Sequence, residues 1–317
     1  MSDAADTDLK PCDLATLATY EHERVLMEST TTGSVYLLGR LRGQQAIVHV
    51  QRTAIASDAA PGLVKDGLEG VNVFLENRPY FSANALITRT PDSPPDLALK
   101  VIWPATDVHI KKYTAQQRRV LRETPAAYAS VVEPYIASFP PDRLEWVYAI
   151  LEGRKEAERV VFRDTDPRTG FVLTPDLKWD GVTLTALYLT ALVQTRGIRS
   201  IRDLTREHLP LLRRISATAY ATAAERYGVE AGQLRLFVHY QPSYYHFHVH
   251  VVHVQHEVLA GMAVGQAHML ADVIDWLELS PPSPAPSLLA QMTFNYALGT
   301  EHGLYAGLAA VQEDAGA

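Results

Sequence analysis

The stretch Tyr244-Tyr-His246-Phe-His248-Val-His250-Val-Val252 decides how the rest of the chain is read. Its histidines recur at period two, and residues i, i+2 and i+4 of an extended strand share one face. The spacing predicts a strand over Tyr244–Val254 in which His246, His248 and His250 project together while Phe247, Val249 and Val251 turn into a core. Leu234–Tyr240 reads as a second strand, joined to the first through Gln241-Pro242-Ser243 as a hairpin, so His239 would face the same cleft. Neighbouring imidazoles are costly to bury without partners, and each ordinarily titrates near neutral pH. On these residues alone three readings stand open: a cluster of satisfied structural histidines, a zinc site, or nucleophilic catalysis on phosphorus. Imidazoles can ligate zinc, yet no cysteine lies nearby and no fourth ligand is evident. A neutral imidazole is a good nucleophile when a neighbour orients its other nitrogen, and the remaining histidines can donate to phosphate oxygens as charge builds.

The chain around this stretch has 317 residues, which suggests about two domains. Its 47% hydrophobic residues supply a core and exclude a mainly disordered chain. The longest apolar stretch, Val182–Val193, is broken by threonines and too short to span a bilayer, so no membrane association is expected. Met1–Asp13 is acidic and polar, unlike a signal peptide. The single cysteine, Cys12, excludes disulfides within the chain and cysteine-rich metal sites, and a reducing, cytoplasmic setting is expected. The formal charge of −7 offers nothing global to attract nucleic acid, so an anionic ligand needs a local cluster of basic groups.

Ser34–Gly39, Gln45–Val50 and Asn72–Leu75 read as strands, with Asn84–Ile87 and Leu97–Trp103 as two more, and residues 1–105 are assigned to a small β-rich domain. Ile110, Tyr113, Val120 and Leu121 have helical spacing, predicting a basic helix over His109–Glu123. A second helix is expected over Ala126–Ile136, making residues 106–140 a helical connector. Residues 141–317 read as an α/β domain with an antiparallel sheet, so the fold class is α+β. Its expected helices are Leu144–Glu152, Gly181–Thr195, Thr205–Tyr227 (Thr205 as N-cap, Gly228 as stop) and Ala267–Leu279. Its further strands are Arg159–Phe162, Phe171–Leu173 and about 288–297.

The pattern His-φ-His-φ-His-φ-φ over residues 246–252, φ being apolar, resembles the signature of the histidine triad (HIT) superfamily. Val238-His239-Tyr240-Gln-Pro242-Ser243-Tyr244-Tyr245 resembles, within it, the scavenger mRNA-decapping enzyme (DcpS) family. So do Phe171-Val-Leu-Thr-Pro-Asp176-Leu-Lys-Trp179, Gly197-Ile-Arg-Ser-Ile-Arg-Asp-Leu-Thr205 with Glu207-His-Leu-Pro-Leu-Leu212, Leu144-Glu-Trp146-Val-Tyr-Ala-Ile150, and Trp103-Pro-Ala-Thr106 with His109 and Lys112-Tyr113. These blocks stand in the family's order and cover about residues 100–280.

The resemblance implies hydrolysis of the triphosphate bridge of cap dinucleotides and short capped RNA fragments. The products are 7-methyl-GMP and a nucleoside diphosphate or a 5′-diphosphate oligonucleotide, and neither metal nor cofactor is used. It implies that His248 attacks phosphorus through a nucleotidyl-histidine intermediate, that His250 and His239 contact phosphate oxygens, and that His246 holds the geometry. Trp146 and Leu177 would cover the two faces of the base, Glu156 and Asp176 would accept from its N–H groups, and Asn77 would touch it from the N-terminal domain. Lys178, Lys112, Tyr113, Tyr188, Ser243 and Tyr244 would meet phosphates and ribose. The resemblance further implies a homodimer with exchanged N-terminal domains, which close over one active site at a time about a hinge in the connector helix at 109–123. Some relatives enter the nucleus, but the N-terminal tail here has no basic cluster to support import.

Ligand chemistry gives an independent check. A 7-methylated guanine is a cation, which favours an aromatic face and a carboxylate. Apart from the resemblance, Trp146 reads as core, Glu156 as part of the solvated charge run Glu152–Arg159, and Asp176 as a turn residue. Gln266 stands where the family often has a basic residue, so the resemblance does not carry over one phosphate contact. The rivals are another HIT hydrolase acting on dinucleoside polyphosphates, a non-catalytic cap-binding protein, and a zinc-dependent nucleotidyltransferase.

Overall fold

The computed structural model describes residues 13–314 except 54, 57, 91, 92, 94 and 258, so Cys12 lies outside the described residues. The chain forms two units, residues 1–115 and 116–317. Among the described residues no helix is long and apolar enough to cross a membrane.

The N-terminal unit contains β1 (Glu21–Ser29), β2 (Ser34–Leu41), β3 (Gln44–Arg52), β4 (Leu68–Asn77), β5 (Tyr80–Ile87) and β6 (Leu97–Ile102). Strands β1, β2, β3 and β6 make an antiparallel sheet in that order, and β4 pairs with β5 alone. The strands expected from sequence are present; β2 to β5 are longer than the stretches that predicted them, and β6 ends one residue earlier, at Ile102. Strand β1 was not expected: register shifts at His22/Arg24 and Val25/Met27 break its period-two pattern. Leu26, Leu38, Ile47 and Ala105 form the core of this unit, with Tyr36, Ile102, Ile110 and Tyr113 packed against them. The β4–β5 hairpin is exposed along nearly its whole length, including Val71, Val73, Phe74, Leu75, Phe81 and Leu86.

The expected helix His109–Glu123 is corrected. A helix spans Asp107–Tyr113 and stops there, Thr114 being extended. Arg118–Glu123 is instead a strand, β7, of the C-terminal unit. Its buried residues are Leu121 and Glu123, while Arg118, Arg119, Val120 and Arg122 are exposed. The adjacent pair Val120-Leu121 satisfies both periods, so the pattern could not separate strand from helix.

The remaining strands are β8 (Phe162–Arg163), β9 (Phe171–Pro175), β10 (Tyr188–Val193), β11 (Leu234–His239), β12 (His248–His253), β13 (Ala267–Met269) and β14 (Phe294–Gly299). Strand β14 pairs with β7, and the others form a six-stranded antiparallel sheet in the order β13-β11-β12-β10-β9-β8. The chain is thus α+β. The helix expected over Gly181–Thr195 is corrected: its second half is β10, an interior strand flanked by β12 and β9, with all six residues buried. A strand covered on both faces does not alternate, so its apolar run reads like a buried helix. The expected helix Ala267–Leu279 begins one strand late, after β13, at Leu270–Leu279, and the expected strand near 288–297 splits into the helix Leu288–Gln291 and β14. Helix Tyr305–Asp314 was not expected.

Helix Glu145–Leu151 stands where the sequence placed it. Helix Leu209–Tyr227 follows a capping turn in which the Thr205 N–H donates to His208 Nδ1 at 2.9 Å, and Gly228 ends it at φ +67°. Its Leu212, Ile215, Ala219 and Ala223 share one buried cluster with Phe247, Val249 and Val251, the residues expected to back the histidines.

Candidate active site

Antiparallel pairing sets the histidine geometry. Phe237 of β11 lies opposite His250 of β12, and on the other side Thr190 and Leu192 of β10 lie opposite His250 and His248. His239, two residues beyond Phe237, returns to the same face. The rings of His239 and His250 are 4.1 Å apart with their Nε2 atoms in contact, and those of His248 and His250 are 4.8 Å apart. His246 corrects the expected row of three. The ladder begins at His248, residues 240–247 form a loop, and the cluster is completed by His239 instead.

Backbone carbonyls only accept, so they fix two tautomers. His248 donates from Nδ1 to its own chain's His246 carbonyl at 2.7 Å, leaving the Nε2 lone pair free. His246 donates from Nε2 to the Val193 carbonyl at 2.8 Å, leaving Nδ1 buried without a partner. His250 Nδ1 shares a 3.0 Å hydrogen bond with the Tyr188 hydroxyl. Burial pushes the His239 imidazole down to about 4, aided by the Lys178 charge. Burial likewise pushes His248 down to about 3, and it holds His250 well below and His246 below the ordinary imidazole value. All four rings are therefore neutral at neutral pH.

An aromatic chain runs outward from His248. Tyr244 stacks on it at 4.1 Å and 14°, and the Trp146 indole meets Tyr244 edge-on at 4.9 Å. Trp146 is 42% exposed, far from the core residue that composition suggests. Beyond β9 the chain turns through Asp176, Leu177 and Lys178. Asp176 accepts from the Thr190 hydroxyl at 3.2 Å and from the Lys178 N–H at 3.0 Å. Lys178 Nζ sits 5.0 Å above the Tyr188 ring, and Leu177 is exposed. Glu156, at φ +52°, pairs with Arg159 at 2.9 Å, and Arg159 also donates to the Pro175 carbonyl at 3.3 Å, next to Asp176. Thus Trp146, Tyr244, His248, His250, His239, Tyr188, Lys178 and Asp176 are linked by direct contacts, and Glu156 joins through Arg159. Ser243 is exposed on the 240–247 loop.

Asn77, Lys112 and Tyr113 belong to the N-terminal unit. Asn77 ends β4 and is exposed, and Tyr113 stacks on Tyr36 at 4.9 Å with Lys112 Nζ 5.4 Å from its ring. The sequence did not single out Thr190, which orients Asp176, or Arg159, whose only signal is its i,i+3 spacing from Glu156. Gln266 is buried, and its amide donates to the Tyr240 carbonyl at 3.2 Å, so its side chain is tied to the sheet backbone.

The ring nitrogens of His239, His248 and His250 include one from each residue within 4.8 Å of the others, a spacing that could hold a metal ion. Histidines alone supply that set, which would leave a fourth position for water, as in catalytic zinc.

Two family models match the chain: "Scavenger mRNA decapping enzyme (DcpS) N-terminal" over residues 15–116 and "Scavenger mRNA decapping enzyme C-term binding" over residues 145–265. An m7GpppX diphosphatase of Schizosaccharomyces pombe is 36% identical over 91% of this chain and 94% of its own length. The Mus musculus m7GpppX diphosphatase is 37% identical over 92% of this chain and 85% of its own, and that of Homo sapiens 38% over 82% and 77%. With both units matched in order and the similarity running through the histidine cluster, the chain belongs to the scavenger mRNA decapping enzyme family.

Proposed function

We propose that this protein is an m7GpppX diphosphatase that hydrolyses the triphosphate bridge of 7-methylguanosine cap dinucleotides and short capped fragments. The observation that carries the chemistry is the hydrogen bond from His248 Nδ1 to the His246 carbonyl. It leaves a neutral imidazole with one free lone pair, on Nε2, beside two further histidines. That nitrogen attacks the phosphorus bonded to 7-methylguanosine. The P–O bond to the bridging oxygen breaks, and the nucleoside diphosphate leaves with the electron pair. Water then cleaves the P–N bond, releasing 7-methyl-GMP and restoring the imidazole. His239, His250 and the Lys178 ammonium stabilise charge on the phosphate oxygens. Ser243 and Tyr244 add polar contacts from the loop.

Trp146 and Leu177 enclose the methylated base, with Asp176 and Glu156 as acceptors along its N–H edge. Asp176 is pre-oriented by Thr190, whereas Glu156 must exchange Arg159 for the base. Asn77, Lys112 and Tyr113 serve from the N-terminal unit of a homodimer with exchanged N-terminal units. The exposed apolar hairpin β4–β5 supports a dimer, since an isolated two-stranded hairpin is marginal in water and an apolar patch marks an interface. A cytoplasmic setting fits the single cysteine.

The test is incubation with methylated cap dinucleotide and its unmethylated analogue, with EDTA present, followed by product chromatography. Release of 7-methyl-GMP at an undiminished rate is expected. Loss of activity under EDTA that zinc restores would favour instead a metal held by His239, His248 and His250.

A further inference from the structure

We propose that Glu123 is a positioning residue for the histidine cluster, acting through the 240–247 loop. The proposal rests on the placing of the active site at that cluster. Glu123 ends β7 and is fully buried, as is the Arg202 guanidinium it faces. Arg202 donates to Glu123 Oε1 from Nε at 3.0 Å and from Nη2 at 2.7 Å. Its Nη1 is engaged by the carbonyls of Leu289, Ala290 and Met292 at 3.2, 3.2 and 2.7 Å. The ion pair is therefore satisfied by rigid neighbours and has spare acceptor capacity. That capacity is directed at the loop. The Tyr240 hydroxyl donates to Oε1 at 2.7 Å and the Gln241 amide donates to Oε2 at 2.7 Å; the Tyr296 hydroxyl also donates to Oε2.

Tyr240 and Gln241 immediately follow His239. The Gln241 side-chain oxygen, Oε1, accepts in turn from the Tyr245 hydroxyl at 3.1 Å, so one carboxylate holds both limbs of the loop. Between those limbs lies Tyr244, flat on His248. Beyond them lies His246, whose carbonyl holds His248 Nδ1. Releasing Gln241 would free the Tyr244 stack and the His246 carbonyl together, although Glu123 touches no histidine of the cluster in any of these bonds.

Removing Glu123 itself would strand the Arg202 charge in the core and threaten the fold. The experiment therefore trims single arms. Gln241→Leu and Tyr245→Phe cut the loop limbs. The Tyr296 hydroxyl also accepts from the Gln241 amide at 3.1 Å, so the control is instead Ser280→Ala, which removes a buried hydroxyl that donates to the Trp276 carbonyl at 2.8 Å and accepts from the Leu288 N–H at 2.9 Å, neither bond reaching the loop. Each variant is followed by thermal unfolding and by steady-state kinetics on methylated cap dinucleotide. A catalytic group displaced by about 1 Å can lose ~10²-fold in rate, so Gln241→Leu is expected to lower kcat by about 10- to 100-fold with KM changed less than about twofold. Ser280→Ala should lower the melting temperature similarly yet keep kcat within about twofold. If Gln241→Leu does not fold, Tyr245→Phe carries the same comparison, because only a hydroxyl is removed. Equal losses of kcat in the loop variants and in Ser280→Ala, or none in a folded loop variant, overturn the proposal. A wild-type protein that does not cleave the cap overturns the functional reading instead, which separates the two failures.

Discussion

Replacing Trp146 with alanine should cost the methylated cap more affinity than the unmethylated one. The indole is 42% exposed, so its removal opens no large cavity, and its contact in the site is the 4.9 Å edge-on approach to Tyr244. Two losses are therefore expected, and they differ in kind. Losing an edge-on aromatic contact costs ~0.5–1.5 kcal/mol and loosens Tyr244 whichever base is bound. In affinity that common loss is about 2- to 12-fold for both ligands. The second loss depends on charge. Methylation at N7 makes the purine a cation, and a desolvated cation over an indole face gains ~1–2 kcal/mol that a neutral purine does not. The methylated ligand alone should therefore lose a further factor of about 5 to 30. Calorimetric titration of both ligands, each protein carrying His248→Asn to prevent turnover, measures the two factors separately. Equal loss for both ligands would mean that the indole packs against Tyr244 without sensing the methyl cation, and the cap-specific reading would lose its main physical support.

His248→Asn should abolish turnover, by ~10³-fold or more, with cap binding retained, because an amide cannot form the P–N intermediate; residual activity above about a tenth of wild type would exclude His248 as nucleophile. Stability should fall with acid in a defined window. Burial holds His248 at about 3 and His239 at about 4, below the ordinary ~6.5 of imidazole. The unfolded chain thus binds protons that the folded chain does not, so the contribution is complete above about pH 6.5 and is lost progressively as pH falls toward the folded values. Melting temperatures across this range check it. A flat profile between pH 7 and 5, or a gain at lower pH, would contradict neutral buried histidines. The acid limb of kcat/KM should likewise lie below the ordinary imidazole range.

How much of this was legible in the sequence depends on how local each signal is. Period-two spacing located β12 and named His248 and His250, and the Gln-Pro-Ser turn brought in His239 from β11. Those signals are carried by neighbours in the chain. Strand β10 was missed because its contacts come from β9 and β12, and burial on both faces erased the alternation that would have marked it. Strand β7 was missed for a similar reason: its partner, β14, lies far along the chain, and nothing near Arg118–Glu123 announces it. The acidic site residues follow the same rule. Asp176 could be proposed from its block, but the Thr190 hydroxyl that orients it comes from β10, the element that the sequence misread.

The departure of His246 from the strand carries chemical weight. In a regular strand, backbone carbonyls lie in the plane of the sheet and point toward neighbouring strands, while side chains stand perpendicular to it. Had His246 been paired in the ladder, its carbonyl would have been directed at a neighbouring strand, out of reach of a side chain two residues on. Because the ladder starts only at His248, the His246 carbonyl is free to accept the His248 Nδ1 proton at 2.7 Å. That single bond leaves His248 one free nitrogen and aims it. His246 is itself fixed by its bond to the Val193 carbonyl at the end of β10, so the orientation of the His248 ring is set by backbone at two strand ends. Of the period-two row of histidines only two members share the strand face; the first supplies a carbonyl to His248, and its ring is bonded at the end of β10.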